Sequence, residues 1–499
     1  MSKTKKSQNG FTIVELLIVI VVIGILAAIS IVAYNGVQTS AGIAVIKSDL
    51  KNVQSQLETE NAIEGSYPAD ESSLEVSQDT ALEYTNSVSS YCITASSQAA
   101  ATSYYFDSLE GVIQEGTCPS HEGMAIFDPP PPQVTAISHN CAITSGQPFC
   151  WGRGEQGRLG NNLTTNSSVP VAVSTSGVLS GKTVTKITAG NFHTCALADG
   201  EAFCWGGGIF GQLGYGFDNS NYSVPVAVNT TGVLSGRTVT DISTAGDSHT
   251  CAVADGLAFC WGYSAFGQIG NGNNTEFGDT EISPVAVDTS GVLAGRTVNS
   301  VSVGWWHSCA LADGEVFCWG DGQDGQLGNN TTDGSYIPVA VDTSGVLAGR
   351  TVTAVASGFY HSCALADGLV FCWGNSGTSS SSTPVAVNAS GALSGRTVTA
   401  ISAGNSFTCA IADGEVFCWG SGWGGELGSG AYTSSSNPVA VSTSGVLSGR
   451  TVTALSSGGG HTCAIADFQT FCWGRGQYGS LGNGQTNNSP IPVAVSPLP

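Results

Sequence analysis

The sequence predicts a multi-domain protein: a long N-terminal α-helix, then a small α+β head, then an all-β propeller of seven blades. Three observations carry that prediction. Residues 16–33 run without a charge, and beyond residue 133 a pair of cysteines nine positions apart recurs seven times. Only 10% of the 499 residues are charged while 67 are glycine, the balance of a β-rich chain dense in turns and not of a helical bundle. The formal charge of −22 would repel phosphate backbones, so no nucleic-acid partner is expected. The 16 cysteines are even in number and none lies in a C-x-x-C spacing, which favours disulfides and export over zinc. No metal and no cofactor is expected.

The N-terminal helix comes first. Lys3, Lys5 and Lys6 precede Gly10-Phe11-Thr12-Ile13-Val14-Glu15, and the apolar run from Phe11 to Ala33 is long enough to span a bilayer. The lysines keep the N-terminus cytoplasmic and send the rest outside. No small-residue cleavage site follows, so this is not an ordinary secretory signal. Ile43, Ile46, Leu50, Val53, Leu57 and Ile63 then form one stripe at helical spacing, extending the helix to residue 64. Glu15 is the anomaly, because a carboxylate in a membrane helix costs about 2.5–3.5 kcal/mol at its centre and needs a partner.

Gly65-Ser66-Tyr67-Pro68 stops the helix. In the head, residues 65–128, three short strands are expected at Tyr91–Thr94, Ser103–Phe106 and Gly111–Ile113, closed by a bridge between Cys92 and Cys118. Four prolines, Pro129 to Pro132, mark a stiff linker over 129–133.

The propeller, 134–499, follows from its repeat. The pairs are Cys141 with Cys150, Cys195 with Cys204, Cys251 with Cys260, Cys309 with Cys318, Cys363 with Cys372, Cys409 with Cys418 and Cys463 with Cys472, each copy ending Phe-Cys-Trp-Gly. A period near fifty with several short strands means a propeller or a solenoid. In the third copy Asp255-Gly256 is a type I′ turn signal midway between Cys251 and Cys260, so the cysteines face each other at a non-hydrogen-bonded position suited to a cross-strand disulfide. The last copy has Asp467-Phe468, and a distorted turn is expected there because Phe resists positive φ. Taking each unit to start at its Pro-Val-Ala-Val strand leaves three strands at 134–151 and a single one at Pro492–Val495. The terminal strand is therefore expected to complete the blade begun at Val134 and so close the ring.

Recurring polar residues read as structural. His193, His249, His307, His361 and His461 stand two residues before a cysteine, with an aspartate following; packing over the glycine after Trp is expected, a metal-binding ring being the alternative, and a disulfide-bonded sulfur excludes a cysteine nucleophile. Lys182, Arg237, Arg296, Arg350, Arg396 and Arg450 form a ring of cations expected to pair with nearby carboxylates, an anionic-ligand site being the alternative. Trp305, Trp306, Phe359, Tyr360 and Trp423 depart from their copies' pattern and are the candidate ligand-binding residues, Trp and Tyr being favoured at binding hot spots.

The basic leader, Gly10, Phe11, Glu15 and the apolar helix together resemble a type IV prepilin. The resemblance implies that a prepilin peptidase cuts after Gly10 and methylates the amino group of Phe11. It also implies that Glu15 pairs with the terminal amine of a neighbouring pilin subunit. His-x-Cys-Ala-Leu, Phe-Cys-Trp-Gly and Gly-Gln-Leu-Gly (Gly211–Gly214, Gly325–Gly328) resemble the regulator of chromosome condensation repeat, which implies a seven-bladed propeller binding through its loops. The expected function is a minor or tip pilin, inserted in the cytoplasmic membrane and then displayed on the cell surface, presenting a propeller to a protein or glycan. A pseudopilin-like part of a type II secretion or DNA-uptake apparatus is the alternative, and no enzyme activity is expected.

Overall fold

A computed structural model describes residues 45–57, residues 74 and 76, the strands between 80 and 115, and 134–498 except 139, 218, 247, 274–279 and 388–390. The chain divides into two compact units, Met1–Pro130 and Pro131–Pro499. Gly10, Phe11, Glu15, the apolar run and Cys118 lie outside the described residues, and no helix within those residues is long and apolar enough to cross a membrane.

In the first unit residues 45–57 are helical, and Ile46, Leu50, Val53 and Leu57, one face by their three- and four-residue spacing, are fully buried. They pack on Ile93, Ala95, Tyr104 and Phe106 of an antiparallel sheet. That sheet has four strands in sequence order, Thr80–Asn86, Tyr91–Ser97, Thr102–Asp107 and Ile113–Glu115. The sequence reading missed the first of these, which pairs along its whole length with Tyr91–Ser97. Cys92 is disulfide-bonded.

The second unit is a propeller of seven four-stranded antiparallel sheets. Its second blade shows the plan: β1 Val184–Ala189 nearest the axis, β2 His193–Ala198, β3 Glu201–Gly206, and β4 Tyr222–Ala227 outermost. The β2–β3 hairpin pairs Cys195 with Cys204 across a two-residue turn. The same hairpin carries a disulfide in every blade. Cys141 is bridged to Cys150, Cys195 to Cys204, Cys251 to Cys260, Cys309 to Cys318, Cys363 to Cys372, Cys409 to Cys418 and Cys463 to Cys472, with Cα atoms 4.0–4.1 Å apart. Each bridge closes a loop short enough to contribute roughly 2–3 kcal/mol.

Two expectations are corrected. Each blade is four consecutive strands, so the strand at Ser167–Ala172 completes the blade begun at Val134, and the terminal strand Ser489–Ala494 completes the last blade. The Pro-Val-Ala strand bonds backward, Val226 to Cys204 and Ala227 to Phe203, and does not start the next blade. The turn at Asp467-Phe468 is regular: both residues take positive φ, 47° and 61°, and Ala466 faces Gln469 as in the other hairpins. The bridged strands impose the turn, and Phe468, half exposed, accepts a left-handed conformation that costs roughly 1–2 kcal/mol.

What joins the blades is a clasp repeated around the ring. The hydrophobic core lies between neighbours: Leu197 and the Cys195–Cys204 bridge of one blade pack on Phe259 and Trp261 of the next. The loop after β3 reaches across the same seam. Nε1 of Trp205, Trp261, Trp319, Trp373 and Trp473 donates to the carbonyl of Arg158, Gln212, Gln268, Gln326 and Glu426 in the preceding blade's loop, at 2.9–3.0 Å. Glycine is required beside that carbonyl, since a Cβ on Gly328 would stand 2.7 Å from the Trp373 indole nitrogen at φ +69°. Ring closure uses this device too: Trp151 Nε1 donates to Ser480 O at 3.0 Å, and Trp151 packs with Cys463, Cys472 and Leu481. The seam between the fifth and sixth blades lacks it. The fifth blade has a short serine link where the others have the loop, and Trp419 has no such bond among the described residues.

Candidate binding face of the propeller

Antiparallel order sorts the connections between two faces. The β2–β3 turns and the links from β4 to the next blade share one face; the β1–β2 and β3–β4 loops share the other.

On the first face the cation ring is satisfied internally. Lys182–Glu201, Arg237–Asp255, Arg296–Glu315, Arg350–Asp367, Arg396–Glu415 and Arg450–Asp467 lie 2.8–3.3 Å apart. Each cation also sits 4.8–5.6 Å from the centre of its own blade's phenylalanine ring, Phe203 to Phe471.

The histidines are framework. His193, His249, His307 and His361 are fully buried, and their Nε2 atoms lie 2.7–2.9 Å from the hydroxyls of Thr250, Ser308, Ser362 and Thr408 in the following blade. The Thr250, Ser308 and Ser362 hydroxyls donate onward to the clasp carbonyls of Gln212, Gln268 and Gln326, so each imidazole bonded to them donates from Nε2. Burial pushes the first three histidines down to about 3 and His361 to about 4; Arg158 adds to the effect on His193 and neighbouring histidines to that on His249 and His307. Among the described residues no group of three His, Cys, Asp or Glu is placed to hold a metal ion.

The second face carries the variation. In five blades the β1–β2 loop is a turn closed by a backbone bond, Gly304 N to His307 O at 2.8 Å for example, which presents the two residues between them. Those residues are Asn191-Phe192, Trp305-Trp306, Phe359-Tyr360, Asn405-Ser406 and Gly459-Gly460. Four of the expected ligand-binding residues come together here. Trp305 and Trp306 have ring centres 5.1 Å apart, and Trp305 lies 4.6 Å from Phe359 and 5.4 Å from Tyr360. Trp306 stacks on Phe266 at 4.8 Å, and Tyr263 and Phe210 continue the strip. Trp423 stands outside it, 74% exposed, beside Arg475.

Trp305 and Phe359 line a cavity of about 400 Å³ that is also lined by Arg153, Arg158 and Arg475. Arg158 is buried and donates from Nε to Glu155 O at 2.8 Å. Arg153 pairs with Glu155 and lies 5.0 Å over Tyr478, and Arg475 donates from Nε to the buried Glu426 at 3.0 Å. The sequence reading missed these arginines. The available signal was the position after Phe-Cys-Trp-Gly, which is Arg only in the first and last copies, neighbours once the ring closes.

Residues 145–197, 199–253, 255–311, 313–365, 413–465 and 469–499 match the regulator of chromosome condensation (RCC1) repeat. The chain belongs to the RCC1 repeat family. Its RCC1 propeller is 31% identical over 386 residues to the ultraviolet-B receptor UVR8 of Arabidopsis thaliana, covering 74% of this chain and 83% of that one. It is 32% identical to the E3 ubiquitin-protein ligase HERC2 of Homo sapiens over 47% of this chain, but over only 5% of that far longer protein. Among solved structures, human WBSCR16 superposes with a TM-score of 0.60 at 24% identity, over 70% of this chain and 94% of that one. Yeast RCC1 (Prp20), in a complex with Kap60, superposes at 0.57 and 19%, over 77% and 91%. Both share the fold. Residues 5–31 match the prokaryotic N-terminal methylation motif, so a prepilin-like N-terminus and an RCC1 propeller lie on one chain.

Proposed function

We propose that this chain is a minor or tip subunit of a type IV pilus, displaying its propeller outside the cell as a binding head for attachment. The observation that carries the proposal is the union of a methylation motif at 5–31 with a propeller whose uneven loops gather aromatic and guanidinium side chains around one cavity. In this reading prepilin peptidase cuts after Gly10 and methylates Phe11, Glu15 takes the terminal amine of a neighbouring subunit, and Cys118 bridges Cys92 in a pilin-like head over 65–128. The chain passes through the cytoplasmic membrane before assembly. A propeller this large would crowd a helical array, which is the reason for a minor place. In this reading the head binds and does not catalyse: His193, His249, His307 and His361 bond hydroxyls of the next blade, and the propeller cysteines are bridged within each blade. A protein ligand accords with the yeast relative seen bound to Kap60.

Sheared filaments test the proposal. The subunit is expected there in small amount, beginning at N-methylated Phe11, and deletion of 134–499 is expected to abolish attachment while filaments persist. A subunit as abundant as the main pilin, or attachment unaffected by the deletion, overturns it.

A further inference from the structure

We propose that the cavity between Trp305, Phe359 and the three arginines binds a carboxylate of an extended peptide segment on a partner protein, with the apolar residues of that segment lying along the aromatic strip. This rests on reading the propeller as the binding head and names what the head takes.

Charge placement carries the argument. The propeller has ten cations: six hold the carboxylates of the opposite face, and Lys186 is bonded to Asp241 between inner strands. The remaining three, Arg153, Arg158 and Arg475, all line this one cavity, and no Asp or Glu lines it. Two of them also hold a carboxylate from outside the lining, Glu155 on Arg153 and Glu426 on Arg475, so the site keeps one positive charge in excess in a chain of net charge −22. Nη1 of Arg153 and both Nη atoms of Arg475 have no hydrogen bond among the described residues, so donors remain in the fork geometry that suits a carboxylate. Arg153 is held over Tyr478 and Arg475 is fixed at Nε by Glu426, so little freedom is lost on binding.

The strip supplies the second half. Phe210, Tyr263, Phe266, Trp306, Trp305 and Phe359 form consecutive ring contacts of 4.6–6.2 Å across four blades and end at the cavity wall. Those contacts fix the rings before any partner arrives, and aromatic residues beside arginine are what protein hot spots are made of. An anchored carboxylate with a linear apolar track fits an extended chain better than one compact group. The carboxylate can be a side chain or a C-terminus.

Full-length protein in detergent, presented with a library of short peptides, decides the matter. Library pools carry glutamate or glutamine at a fixed central position, leucine or serine beyond it, and either a free or an amidated C-terminus. An oligogalacturonate serves as the acidic saccharide control. The glutamate–leucine pools are expected to be retained over their glutamine and serine counterparts, or the free-acid leucine pools over the amides, the two results separating a side-chain anchor from a C-terminal one. Trp305→Ala and Arg153→Gln are each expected to weaken retention about tenfold or more. Arg153→Gln leaves only the exposed Glu155 without its partner, so the fold is not at risk. Retention indifferent to the carboxylate, equal retention by Arg153→Gln, oligogalacturonate bound in place of peptide, or no pool retained would each overturn the inference. Should peptides bind while Arg153→Gln cells attach normally, the attachment reading fails and the ligand assignment stands. Loss of attachment on deleting 134–499 with no peptide bound has the reverse meaning.

Discussion

On one face of the propeller six cations hold six hairpin carboxylates of their own blades and lie over six phenylalanines. On the other, the pair of residues at the tips of five blades changes from Asn191-Phe192 to Trp305-Trp306 to Gly459-Gly460. The same repeat builds both faces. Where cations recur from blade to blade they are paired within the protein itself; where a position varies, rings and guanidinium groups gather around a cavity. Repetition marks the frame and irregularity marks the site.

The frame can be broken most severely at the clasp. Trp373→Ala removes a fully packed indole and its bond to Gln326, and is expected to destabilise the propeller by about 3–5 kcal/mol in denaturant unfolding. Trp419→Ala, at the seam without a clasp, is expected to cost about 1 kcal/mol less, the worth of the missing bond. Equal losses would mean that the clasp contributes nothing.

Acid attacks the frame next. The buried histidines have folded-state values depressed to about 3 or 4 from 6.5, so the unfolded chain takes up protons that the folded one refuses. Their contribution is complete above pH 6.5 and is lost as pH falls toward 4 and 3, by roughly 1.4 kcal/mol per pH unit for each histidine. Thermal unfolding followed from pH 7 to pH 4 is expected to show this slope, and His307→Phe, copying what Phe407 does in the sixth blade, is expected to flatten it. A slope that His307→Phe leaves unchanged would place the acid sensitivity elsewhere.

A smaller effect sharpens the account of the turns. Phe468→Gly relieves a left-handed phenylalanine and is expected to gain up to about 1 kcal/mol, the benefit being offset by glycine's greater freedom when unfolded. A loss of stability would show that the phenyl ring packs usefully.

The hairpins, their cysteine register and the blade count were legible because each depends on local spacing. The closure was not. Pro170 to Val184 is a connection of the same length in every copy, whereas Trp151 to Pro170 has counterparts as short as Trp373 to Pro384, so the constant stretch looked like part of one blade when it is the link between two. Order along the chain is written in the residues, but the partner of an outer strand is settled by hydrogen bonds across space, here Val226 to Cys204. Arg153 and Arg475 were overlooked for a related reason. They stand at opposite ends of the propeller sequence and meet only when the ring shuts.

The division between frame and site is tested most directly by attachment of cells whose filaments carry either Trp305→Ala with Arg153→Gln or, on the opposite face, Arg350→Gln. Arg350 is partly exposed and its ion pair is worth no more than about 1 kcal/mol, so both proteins should fold alike by thermal unfolding. The account predicts that attachment is lost with the first and kept with the second. Attachment kept with the first, or lost equally with both, would contradict it.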